Sequence, residues 1–107
     1  MFRSVLNLNT YKMQYIVTGY DFTDEGAVQR RLNVRPHHLD HARATKQAGN
    51  LISAAAMLNE AGDAVGSVMI MQFASEEELE AWKSNEPYVT QGIWETVDVK
   101  PARVAEL

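Results

Sequence analysis

At 107 residues the chain has room for one domain with a single modest core, and 46% hydrophobic with 22% charged residues excludes a disordered polymer. Ten Lys and Arg against fourteen Asp and Glu give a net charge of −4 with the basic residues scattered, a poor footprint for nucleic acid or an anionic membrane. Cysteine is absent, which removes disulfides, thiolate metal sites and Cys nucleophiles.

Met1 to Thr10 is too short and too polar in its apolar part for a signal peptide, and no apolar run approaches the ~20 residues of a spanning helix. Residues 1–12 therefore read as an N-terminal tail before a single domain over 13–107, with a cytoplasmic location as the expectation. Met13 to Tyr20 is rich in β-branched and aromatic residues and roughly alternates, which predicts a strand. Asp21 to Gly26 carries turn residues. Ala27 to Asn33 has the makings of one or two helical turns with Arg30 and Arg31 solvated.

Pro36 suits a first helical position, and the residue before a proline avoids the α region. The expected first full helix is thus Pro36 to about Ala48, stopped by a left-handed Gly49. Leu51 to Leu58 reads as a strand by position, since its three alanines favour helix. Asn59 to Ala64 is a hairpin connection, and Val65 to Phe73 a firmer apolar strand. Ser75 with Glu78 three residues on is a capping box that opens a helix over Glu76 to Ser84, closed by Asn85 to Tyr88. Ile93 to Lys100 alternates most cleanly and predicts the last strand, with Pro101 letting the chain leave the sheet.

The order is β-α-β-β-α-β, the ferredoxin-like α+β pattern: a four-stranded antiparallel sheet with helices on one face. The other face carries Met, Ala, Tyr and Val, and an exposed apolar sheet face marks an interface. A homodimer packed sheet to sheet is the expected assembly.

All three histidines lie in Arg35-Pro36-His37-His38-Leu39-Asp40-His41. On a wheel of ~100° per residue, Leu39, Ala42 and the Lys46 stem mark the buried stripe. His38 falls on its shoulder, while His37 and His41 point away. At a helix start the dipole favours a neutral ring, and a half-buried neutral imidazole suits a general base. The plain alternative is a packed or capping histidine. His37 and His41 are spaced i, i+4 but lack a third ligand, so no metal is expected. Arg35 is a candidate anion clamp or simply a surface residue. Glu86, fixed before Pro87, is a candidate to orient His38, against the plain reading of a solvated carboxylate. Tyr88 and Trp94 are candidate pocket walls or core residues.

Val34-Arg35-Pro36-His37-His38-Leu39, Ala48-Gly49, Glu86-Pro87-Tyr88-Val89, Gly92-Ile93-Trp94-Glu95 and Val97-Asp98-Val99-Lys100-Pro101 together resemble the YciI-like (YCII-related) family, over roughly Met13 to Pro101. The resemblance implies a ferredoxin-like fold, dimers similar to dimeric α/β barrels, and a histidine–acid dyad that maps onto His38 and Glu86. Some members of the family remove HCl from hydroxylated, chlorinated rings by proton abstraction without a cofactor. Two departures stand out: Glu86 replaces the usual Asp, and Ala54-Ala55-Ala56-Met57 replaces a glycine-containing element after the second strand. The expected activity is cofactor-free proton abstraction, as elimination or isomerisation, on a small anionic, aromatic or enolic substrate. His38 and Glu86 would be catalytic, and Arg35, Tyr88 and Trp94 would bind substrate. A non-catalytic small-molecule-binding dimer is the alternative, and a cofactor-independent oxygenase a third reading.

Overall fold

The structure, a computed structural model, describes residues 13–107; the expected tail at 1–12 lies outside the described residues. The chain order is β1 (Met13–Asp21), α1 (Ala27–Gln47), β2 (Leu51–Leu58), β3 (Ala64–Phe73), α2 (Glu76–Asn85), a single turn α3 (Pro87–Thr90) and β4 (Trp94–Ala102). The sheet runs β2-β3-β1-β4, with each of its three pairings antiparallel. This is the α+β, ferredoxin-like architecture that the element order implies.

Alternation in β1 sends Tyr15, Val17 and Asp21 inward and leaves Ile16 and Tyr20 out. In β3 the inward set is Ser67, Met69, Met71 and Phe73. Leu79 and Trp82 of α2, with Tyr88, Ile93 and Trp94, close the core on the helix side. A register shift between Tyr20 and Asp21 turns Trp94 inward although its neighbour Ile93 is also buried. The Trp94 ring lies directly over Gly19, where any Cβ would collide with it, so this strand position requires glycine.

The main departure from expectation is α1. It does not begin at Pro36 but at Ala27, and Pro36 lies inside it. Asp24 sets this start: its carboxylate accepts the Gly26 N–H at 3.3 Å and two Arg30 N–H groups at 2.7 Å. Arg31, expected in solvent, is instead buried and ties the first half of the helix to the sheet. Pro36 removes one bond, to the Leu32 carbonyl, and Leu32 and Pro36 both lie on the exposed side. Packing of Ala27, Arg31 and Val34 outweighs that local loss. Lys46, placed on the buried stripe by the wheel, is exposed.

Other signals act locally as expected. Gly49 ends α1 with φ 86°, and the Ser75 hydroxyl caps α2 by accepting the Glu78 N–H at 3.2 Å. The segment after α2 is not a plain loop: Pro87 opens the short turn α3, which presents Tyr88 to the core. Pro101 does not end β4 but pairs opposite Tyr15, which the edge position of that strand allows.

Candidate active site

Glu86 sits where α2 ends and α3 begins, with φ −71° and ψ 121°, the extended conformation that a following proline imposes. That backbone turns its side chain inward, where it is 0% exposed. A buried carboxylate must be met by donors, and Glu86 has them. The Tyr88 backbone N–H donates to Oε2 at 3.0 Å, and His38 Nδ1 lies 2.9 Å from Oε1 and 3.0 Å from Oε2. A carboxylate only accepts, so Nδ1 carries the proton and Nε2 is the free basic nitrogen. The longer side chain of Glu in place of Asp does not separate the two groups.

His38 is held on its faces as well. Its ring stacks on Tyr88 with centroids 4.0 Å apart and planes 8° from parallel, and Trp94 stands edge-on at 6.3 Å. Its side chain is 11% exposed, so the orientation is fixed by packing. The reason differs from the one the sequence suggested. His38 lies near the middle of the 21-residue α1, so no helix N-terminus acts on it. His41 also differs: it does not point to solvent but flanks Glu86, with Nδ1 3.6 Å from Oε1 and its ring against Trp82 at 6.3 Å. His37 is exposed, as the wheel implied.

Beside His38 lies a cavity of about 220 Å³, walled by Arg31, Arg35, Leu39 and Tyr88 on one side and by Ala54, Ala55, Ala56, Ser67 and Met69 of the sheet on the other. Arg35 and Tyr88 thus meet at the cavity with His38. Trp94 does not line it; it backs the His38 and Tyr88 rings, packing T-shaped on Tyr88 at 5.7 Å. Burial pushes the Tyr88 phenol up, against the opposing pull of Arg31 and Arg35. Among the described residues no cluster of three or more His, Asp or Glu is placed to hold a metal ion.

Sequence reasoning missed Arg31 and its partners. Arg31 donates to Asp21 Oδ1 at 2.8 Å and to the Ser67 hydroxyl at 2.7 Å, and its guanidinium lies 4.6 Å over the Tyr88 ring. Burial pushes the Asp21 carboxyl up, partly offset by Arg31. The signal was present: Arg31, Arg35 and His38 are spaced i, i+4, i+7, one helix face once the helix is continuous.

Residues 13–103 match the YCII-related domain, and over 95 residues the chain is 37% identical to protein YciI of Escherichia coli, covering 83% of this chain and 95% of that protein. The chain belongs to the YCII-related family. A second relative is derivative of benzaldehyde biosynthesis cluster protein C of Emericella nidulans, 39% identical over 72 residues that cover 61% of this chain and 74% of that one. Among solved structures, 5-chloro-2-hydroxyhydroquinone dehydrochlorinase of Burkholderia phenoliruptrix, in complex with 2,5-dihydroxybenzoquinone, matches with a TM-score of 0.76 at 20% identity. That match covers 87% of this chain and 96% of the other, and at this identity it speaks for the fold alone.

Proposed function

We propose that this protein is a cofactor-free acid–base enzyme in which His38 Nε2 takes a proton from a small enolic or aromatic substrate. The observation that carries this reading is the fully buried Glu86 carboxylate bound to His38 Nδ1 at 2.9 and 3.0 Å, beside a substrate-sized cavity. Glu86 fixes the tautomer and stabilises the imidazolium that forms, a role worth several powers of ten in comparable dyads. Tyr88 and Trp94 hold the imidazole plane, and Arg35 at the cavity meets charge on the ligand.

In an elimination the C–H electron pair becomes the new double bond, the proton passes to His38 Nε2, and the leaving group departs with its own pair. The dehydrochlorinase that shares this fold gives a first substrate to try. Incubation with 5-chloro-2-hydroxyhydroquinone and related enolic quinols in D2O, followed for chloride release and ring deuteration, tests the reading. His38→Ala should abolish both signals; wild-type rates no higher than those of His38→Ala across the panel would overturn it.

Two copies packed through the open sheet face complete the proposal. That face presents Ile16, Tyr20, Val68, Ile70, Ala55 and Met57, of which Ile16 is 38% and Tyr20 50% exposed.

A further inference from the structure

Resting on the assignment of the cavity beside His38 as the substrate site, we propose that it selects a planar monoanion that carries a second, neutral oxygen. The anionic group meets Arg35, and the neutral oxygen meets Ser67 and Arg31.

The charge count comes from which cations are already neutralised. Arg31 and Asp21 form a buried pair at 2.8 Å, with side chains 6% and 3% exposed, so Arg31 brings no net charge to the cavity. The Arg35 side chain has no hydrogen bond or ion pair to any described residue, and the residue is exposed. No carboxylate lines the cavity. Asp63 lines an adjoining groove that shares Arg31, Arg35 and Ala56, yet it forms no ion pair with either arginine. The Glu86 carboxylate lies behind His38 and is met by His38 Nδ1 and the Tyr88 N–H, so Arg35 is the lining guanidinium that has no ion-pair partner among the described residues, which suits a single negative charge on the ligand and gives no partner to a second.

The second oxygen follows from Ser67. Its hydroxyl oxygen accepts from Arg31 at 2.7 Å, and no described acceptor takes its own hydrogen. Ser67 is only 4% exposed and lines the cavity, so this donor awaits a ligand oxygen. Arg31 is held rigidly by Asp21, Ser67 and the Tyr88 face, and so presents a preorganised positive edge rather than a mobile charge.

Spacing fixes the rest. Arg31 and Arg35 are about 6 Å apart along α1, and His38 a further ~4.5 Å on, at 1.5 Å per residue. Arg35 lies between the other two, so a ligand held there extends toward Ser67 and Arg31 at one end and toward His38 at the other. When a C–H bond there breaks, the proton goes to His38 Nε2. The electron pair moves onto the carbonyl oxygen beside Ser67 and Arg31, giving an enolate where the donors already point.

The test uses phenylglyoxylate, a planar monoanion with an adjacent ketone and no hydrogen on the α carbon to abstract. Binding therefore reports recognition alone, and the catalytic reading can fail while this one stands. Calorimetric titration of the full chain should show phenylglyoxylate binding about tenfold more tightly than its neutral amide, the scale of one charge-assisted contact. Arg35→Ala, which breaks no side-chain hydrogen bond or ion pair among the described residues, should erase that preference. Ser67→Ala should lower phenylglyoxylate to the affinity of phenylacetate, which lacks the ketone. Equal affinity for acid and amide, an unchanged preference in Arg35→Ala, or no saturation of the wild-type chain at millimolar phenylglyoxylate would overturn the proposal.

Discussion

Replacing Glu86 with Gln isolates what the carboxylate does, because the change is nearly isosteric and the group is fully buried. Oε2 accepts a backbone N–H from Tyr88 at 3.0 Å, and a backbone donor cannot become an acceptor. The amide oxygen must therefore take the Oε2 position, which leaves the NH2 group facing His38 Nδ1 across 2.9 Å. The NH2 group then opposes the Nδ1 proton, which keeps only the 3.0 Å contact to the amide oxygen at the Oε2 position, so the balance shifts from Nδ1–H toward Nε2–H. To that extent the cavity faces an N–H instead of a lone pair. Stability should change by about 1 kcal/mol at most, since one hydrogen bond is exchanged for another and a buried charge is removed. Activity should fall about a thousandfold, as expected when a general base is held in the wrong tautomer. Two assays read this separately: kcat/KM for any substrate identified, and ¹⁵N spectra of the histidine rings, which report the tautomer without substrate. A Glu86→Gln protein whose His38 keeps its proton on Nδ1, or whose kcat/KM stays within a few-fold of wild type, would refute the reasoning.

Asp21→Asn should destabilise the fold by about 3 kcal/mol, because it leaves Arg31 charged in a site where both side chains are almost fully buried; urea unfolding measures this, and a loss under 1 kcal/mol would mean that water reaches the pair. The Arg30 pair holds the Asp24 carboxyl down at about 2, below its ordinary value of 3.8. Its stabilising contribution is thus present above the ordinary value and lost as pH falls through about 2. The stability difference between wild type and Asp24→Asn should accordingly shrink between about pH 4 and pH 2 in thermal melts, and a difference constant over that range would count against the pair. Ile70→Glu, opposite Ile16 on the open sheet face, should convert a dimer to a monomer in light scattering at micromolar concentration; a monomeric wild-type chain would remove the sheet-to-sheet proposal.

Most of the fold is legible because its signals are local. Alternation at the two ends of β1, the Ser75 cap and the Gly49 stop each act within a few residues, and each appears where its chemistry puts it. The start of α1 is not local. Pro36 argues for a helix beginning there, and only the contacts of Ala27, Arg31 and Val34 with distant residues overrule it. The bulge that turns Trp94 inward likewise depends on pairing with β1, which the β4 sequence does not record. At the site, His38 and Glu86 were legible as a pair, but the inward turn of His41 was not. Its wheel position looks outward until α2 and α3 bring Trp82 and Glu86 against it.

The misplaced helix start also explains why the cavity chemistry could not be read in full. With α1 broken at Pro36, Arg31 belongs to a separate turn and has no fixed relation to His38. With α1 continuous, Arg31, Arg35 and His38 form one row down a single face. The row meets the β2 strip, where Ala54 and Ala56, on the face shared with Met69 and Ser67, leave space that larger side chains would fill. Ser67 and Asp21 come from two neighbouring strands and fix Arg31 in that row, so the cation is a product of tertiary packing rather than of spacing. Because the bond lost at Pro36 lies on the exposed side, α1 continues through it and carries Arg31, Arg35 and His38 on one face.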